Sequence, residues 1–177
     1  MKISTKRLVI NALMIALVFL VTVLIRIPSP IPGAYFNLGD AIIMMAAILV
    51  GRRTGMIAGA IGAALADLAS GILFFVPITF LVKGIEGYVV GLIADNSGSD
   101  KKGILRKLIA VVTGAVIIVA GYFILEMSLL RLIDETLAVT AIVAEAPGNA
   151  IQGAASAVIA FVLVTILGKT PIKQKLN

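Results

Sequence analysis

Long apolar stretches alternate with short polar breaks along the 177 residues, and the alternation predicts six helices. The first runs over residues 8–25 and stops at the segment RIPSPIPG (26–33). Its three prolines cannot continue a helix, so an ordered outer loop or a polyproline-like stretch is expected there. The second, over 38–50, is short and ends before Gly51-Arg52-Arg53; the third covers 54–70 and is rich in Gly and Ala. A tight turn over 71–76 leads to the fourth, which starts at Pro77, a favoured first-turn position, and ends at residue 94. The polar run 95–100 reads as a loop. The fifth helix covers 104–129. Arg131, Asp134 and Glu135 then mark a second outer loop with room for a short interfacial helix, and the sixth helix covers 147–167. No internal repeat or second domain interrupts the pattern.

Charge gives the pattern a direction. All but three of the 15 Lys and Arg fall in four patches: Lys2, Lys6 and Arg7; Arg52 and Arg53; Lys101, Lys102, Arg106 and Lys107; Lys169, Lys173 and Lys175. Two predicted helices separate each patch from the next. If every patch is cytoplasmic, the chain crosses a membrane six times with both termini inside. The expected fold class is therefore an all-α integral membrane protein, a single six-helix transmembrane domain over 1–177. The three other cations are Arg26 and Arg131, in expected outer loops, and Lys83, inside a span, where a charge is costly and usually has a task.

Composition agrees with a membrane protein: 60% of residues are hydrophobic, 14% are charged, and mean hydropathy is +1.14. The net charge of +6 is explained by orientation in a bilayer, and nucleic acid is not an expected partner. With no Cys and no His, disulfides, thiolate nucleophiles, His-dependent serine hydrolysis and most zinc sites are excluded. No cofactor or metal is expected. The basic start and apolar run resemble a signal peptide, but residues 8–25 are long for its apolar region and no cleavage-site pattern follows. A permanent first helix is expected. Gly168-Lys169-Thr170 has the end of a phosphate-binding loop, yet Leu163 stands where that motif needs its first Gly. The chain has no ATPase of its own.

The polar residues within the spans carry the functional signal. Asp40, Asp67, Glu126, Asn149 and Gln152 come from four different spans, and the expected topology puts all of them in the outer half. Lys83 and Glu86 lie three residues apart, on one helix face near mid-depth. Buried pairs such as Lys83 with Glu86 or Asp67 are the plain structural alternative. Tyr35, Phe36, Phe74, Phe75, Phe80, Tyr122 and Phe123 share the outer bias. An interfacial belt would be two-sided; rings on one side together with a few polar groups suit a pocket for a small flat molecule. Small residues also recur four apart. Gly55/Gly59, Ala58/Gly62 and Gly59/Ala63 suit packing within the bundle, and Ala12/Ala16 suits either packing or the docking of a separate subunit.

These residues resemble the substrate-binding S component of energy-coupling factor (ECF) vitamin transporters, in the branch with riboflavin-type and hydroxymethylpyrimidine-type members. The resemblance rests on FNLGD (36–40), the glycines at 51, 55, 59 and 62 with ALADLASG (64–71), PIT (77–79), KGIEG (83–87), and APGN (146–149) with Gln152. It implies a subunit that binds a water-soluble vitamin or precursor near the outer face, under the first loop. It implies as partners a transmembrane coupling subunit and two ATPase subunits, with Ala12 and Ala16 as the docking stripe. By position, the pocket would use Phe36, Asn37, Asp40, Asp67, Lys83, Tyr122, Glu126, Asn149 and Gln152. Mostly acids and amides, these favour a hydroxymethylpyrimidine or pyridoxine-like ring over a phosphorylated ligand, with riboflavin still admitted. The competing reading is an autonomous, proton-coupled secondary transporter using Lys83, Glu86 and Asp67 as a relay.

Overall fold

A computed structural model of the protein describes residues 4–28, 35–95, 100–131 and 135–169. Pro30 and Pro32, most of the loop before Asp100, Asp134 and the last lysines lie outside these residues, and so do the expectations that rest on them. In chain order the elements are α1 (Thr5–Leu24), β1 (Arg26–Pro28), β2 (Tyr35–Asn37), α2 (Gly39–Leu49), α3 (Arg52–Ala69), α4 (Phe75–Ile93), α5 (Lys101–Leu130) and α6 (Glu135–Leu167). Local chemistry sets two of the starts. Ser4 caps α1 by accepting a hydrogen bond from the Arg7 amide, and Asp100 caps α5 through the Gly103 amide.

Two differences from the sequence expectation have clear causes. The segment after α1 is a small antiparallel hairpin, with Arg26 opposite Asn37 and Ile27 opposite Phe36. Pro28 ends β1, at a sheet edge where a missing N–H is tolerated. The last helix does not begin at Pro147 but runs from Glu135 straight through it, for 33 residues. Proline loses only one backbone bond there, a loss that apolar spans tolerate when neighbouring helices support them.

Consecutive helices run alternately up and down: Gly55 meets Gly87 and Gly59 meets Lys83 (α3–α4), Gly114 meets Val90 and Gly121 meets Val82 (α4–α5), and Gly153 meets Ala115 while Gly168 lies near Lys107 (α6–α5). The shortest helix is the innermost. Every α2 residue except Ile42 is buried, and α2 packs against α1, α3, α4 and α6. It is apolar nearly all round, the pattern of a helix enclosed by others. Met44, Val90, Val111, Ile118, Ala160 and Val164 form the main core around it. A second cluster, Val18, Ile43, Ala58 and Ala63, joins α1, α2 and α3.

Glycine determines how closely α3 and α4 approach. A Cβ at Gly59 would collide with the Lys83 carbonyl, one at Gly87 with the Gly55 carbonyl, and one at Gly91 with the backbone of Arg52. Gly62 meets α1 in the same way, at the Ile15 carbonyl and Val18. The small stripe of α3 is therefore interior packing. Ala12 and Ala16 differ, since both are exposed on α1.

The outer surface is apolar, with Leu13, Leu20, Phe80, Ile85, Val116 and Val158 among its exposed residues. Four helices are long and apolar enough to cross a membrane: α1, α4, Lys101–Leu129 of α5 and Val143–Leu167 of α6. The other two do not reach that standard alone. The 11 residues of α2 rise about 16 Å, against a hydrocarbon core of about 30 Å. Helix α3 starts on two arginines and carries Asp67. The six expected helices are all present, and four of them qualify as spans on their own.

Candidate functional site

Away from the ends that carry Arg7 and Arg52, a half-open cavity is built from five helices and strands and one turn. Strand β2 supplies Asn37, α3 supplies Asp67, and the α3–α4 turn supplies Ile72. Helix α4 adds Phe75 and Thr79, and α5 adds Tyr122 and Glu126, each pair one helical turn apart. Glu145, Asn149 and Gln152 complete the wall at positions i, i+4 and i+7 along one face of α6. That face exists because α6 continues through Pro147. A sequence reading that starts the helix at the proline misses Glu145, although its spacing from Asn149 and Gln152 was there to be seen.

Six of the nine sequence candidates line this cavity: Asn37, Asp67, Tyr122, Glu126, Asn149 and Gln152. The other three stand behind or beside it. Phe36 lies against α6 at Gly148, where an added Cβ would strike its ring. Asp40 and Lys83 form an ion pair beneath the wall, with Nζ 2.6 Å from Oδ1. Both are almost fully buried. Spacing along α4 suggests Glu86 as the partner of Lys83, yet Glu86 is 4.0 Å away. Among the described residues its two buried oxygens have no hydrogen-bond partner. Asp40 is preferred because α2, the enclosed helix, presents it directly to α4.

Gln152 links the cavity to this ion pair. Its Oε1 accepts from the Asn37 amide at 2.8 Å, and its Nε2 donates to Asp40 Oδ2 at 2.7 Å. The Asn37 side chain turns back to accept from the Gly39 amide at 2.9 Å, which fixes the passage from β2 into α2. Across the cavity, the Tyr122 and Thr79 hydroxyls are 3.0 Å apart. The Lys83 ammonium sits 5.0 Å from the centre of the Tyr122 ring, within cation–π range. Hairpin, α2, α4, α5 and α6 thus meet in one polar network.

The hairpin is tied down at its other strand as well. The Arg26 guanidinium donates to Ser70 Oγ at 2.5 Å, at the end of α3. On the far wall Glu126 of α5 and Glu145 of α6 bring two carboxyl groups together. Glu126 is 1% exposed, and among the described residues its Oε1 has no hydrogen-bond partner. Among the described residues the lining thus offers carboxyl and amide groups, two hydroxyls and an aromatic wall, with no basic side chain. Its volume is about 70 Å³, room for a few waters. Drug-sized ligands occupy about 300 Å³ or more, so one of that size requires the walls to part. Among the described residues no group of three acids, His or Cys could hold a metal ion.

Residues 2–169 match the family described as "ECF-type riboflavin transporter, S component". The chain belongs to that family. Its members are S components of transporters, not enzymes, and the apolar helices agree with a multi-pass membrane protein. Over 101 residues this S component is 40% identical to an "Uncharacterized protein in gap 3'region" of Pyrococcus woesei, covering 57% of this chain and 65% of the other. It is 30% identical over 105 residues to UPF0397 proteins from serotype Ia and serotype V strains of Streptococcus agalactiae. Those matches cover 59% of this chain and 57% of theirs. The chain thus spans less than two thirds of the length of these relatives.

Proposed function

We propose that this S component is the substrate-binding subunit of an ECF-type importer in the cell membrane. It takes up a small water-soluble vitamin or precursor. The observation that carries the reading is the convergence of Asn37, Asp67, Tyr122, Glu126, Asn149 and Gln152 on one cavity in a chain of this family. In the proposed topology all six helices cross the membrane, both termini are cytoplasmic, and the cavity opens outward beneath the hairpin. A transmembrane coupling subunit docks on α1 along Ala12 and Ala16, and two ATPases supply the energy. The exposure of both alanines supports this, as does the small share, 11%, of the α1 span buried in the bundle.

The substrate is a flat heteroaromatic ring, uncharged or cationic. Tyr122 and Phe75 offer faces for it, and the acids and amides read its edge. Nothing in the lining favours a phosphate. A hydroxymethylpyrimidine or pyridoxine-like ring demands the smaller opening of the walls; riboflavin, the vitamin in the family's name, demands a larger one.

The test is native mass spectrometry of the detergent-solubilised chain expressed in rich medium, with extraction of whatever co-purifies. A stoichiometric heteroaromatic supports the reading and identifies the substrate. No bound molecule, together with a flat thermal-shift response to a panel of B vitamins, would sink it.

One feature favours a second reading, an autonomous proton-coupled transporter: the buried Asp40–Lys83–Glu86 cluster, whose Glu86 oxygens lack hydrogen-bond partners among the described residues. Proteoliposomes containing this chain alone separate the two. Uptake that a protonophore abolishes belongs to the second reading, and uptake that needs the coupling subunit and ATP belongs to the first.

A further inference from the structure

The opposite end of the bundle carries a second polar pocket, unrelated to the cavity. It opens between the start of α1, the α2–α3 turn and the first turns of α3, and measures about 640 Å³. Among the described residues Arg7, Arg52 and Arg53 line it against one carboxylate, Asp95. Its wall includes Asn11 and Thr54, whose side chains are hydrogen-bonded at 2.8 Å. Gly51, which precedes α3 at φ +131°, offers no side chain to cap the helix, so the pocket also borders an uncapped helix N-terminus.

An apolar groove of about 440 Å³ adjoins this pocket and lies between α3 and α4. Ile57 lines both spaces. The groove continues past Met56, Ala60, Ile61, Gly84 and Ile85, among which Ala60 and Gly84 keep the surface low where the helices touch. Tyr88 lines the groove and Arg52 lines the pocket, and the guanidinium lies 5.7 Å from the centre of that ring. The stacking holds one positive charge at the junction of the two spaces.

A basic cup opening into an apolar channel fits an amphiphile with a negative head. We infer that this end of the protein carries a binding site for an anionic phospholipid, with the headgroup phosphate among Arg7, Arg52 and Arg53 and an acyl chain along the α3–α4 groove. Arginine forks suit phosphate oxygens. Three cations against one anion favour a net negative headgroup over a zwitterionic one, whose own ammonium the pocket would repel. Continuity with the groove argues for a lipid over a free anion. The assignment is independent of what the cavity binds.

The test uses the full chain in detergent and native mass spectrometry. The probes are phosphatidylglycerol and phosphatidylcholine with identical long chains, dihexanoyl phosphatidylglycerol, and glycerol 3-phosphate. Expected is preferential retention of long-chain phosphatidylglycerol. Arg7→Gln and Arg53→Gln should each weaken it about fivefold, the contribution of one cation near an anionic lipid surface. Retention of phosphatidylcholine and the thermal midpoint should not change. Equal retention of the two long-chain lipids in the wild-type chain overturns the assignment. So does equal binding of the dihexanoyl lipid, or displacement by glycerol 3-phosphate at matching concentration, either of which leaves a bare anion site. If the variants keep the lipid but lose co-purification with the coupling subunit, the pocket is a protein-docking surface and the lipid assignment is wrong.

Discussion

Lys83 Nζ lies 2.6 Å from Asp40 Oδ1, and this ion pair ties α4 to α2 at the centre of the bundle. Asp40→Ala leaves a buried ammonium with Glu86 as its nearest acid, at 4.0 Å. Removing one partner of such a pair costs about 3–5 kcal/mol. The expected outcome is a clear drop in the thermal midpoint in detergent, with most of it recovered in Asp40→Ala/Lys83→Met. A single variant as stable as the wild type would show that the pair is not structural.

Gly59→Ala tests the close approach of α3 and α4. The new methyl meets the Lys83 carbonyl, part of a backbone that cannot swing aside. Overpacking of this kind costs about 1–3 kcal/mol. Thermal unfolding should show it, whereas Leu65→Ala, on the exposed face of the same helix, should change little.

Within the cavity, Glu126→Ala and Asn149→Ala each remove a polar contact from the proposed ligand. Binding should weaken by about 1–3 kcal/mol in isothermal titration, the usual cost of a lost buried hydrogen bond. Unchanged affinity in both would take these two residues out of the site.

Ala12→Leu combined with Ala16→Leu enlarges an exposed stripe on α1, none of whose residues lines the cavity. Ligand affinity in detergent should be that of the wild type, and pull-down of the coupling subunit should fail. Normal co-purification of the double variant would place the docking surface elsewhere.

The helices were readable because greasy runs and breaks are local properties. Residues 8–25 became Thr5–Leu24, and 54–70 became Arg52–Ala69. Which face of a helix meets which neighbour is not local. Nothing near Lys83 in sequence indicates Asp40 as its partner; that pairing depends on α2 being enclosed by the other helices. Asp67, Glu126, Asn149 and Gln152 were found because charges and amides within apolar runs are rare enough to stand out, whereas Asn37 and Tyr122 came from the family resemblance. Glu145 escaped because Pro147 reads as a helix start, and helix interiors seldom contain proline. The hairpin escaped because a proline-rich segment looks unlike a strand.

The glycines between α3 and α4 have a mechanical consequence. Backbones in direct contact leave no side chains to repack, so these two helices make one stiff plank. Asp67, Ile72, Phe75 and Thr79 are fastened to it. Tyr122, Glu126, Glu145, Asn149 and Gln152 belong to the α5–α6 pair opposite. A solute too large for the present space would enter by levering one slab from the other.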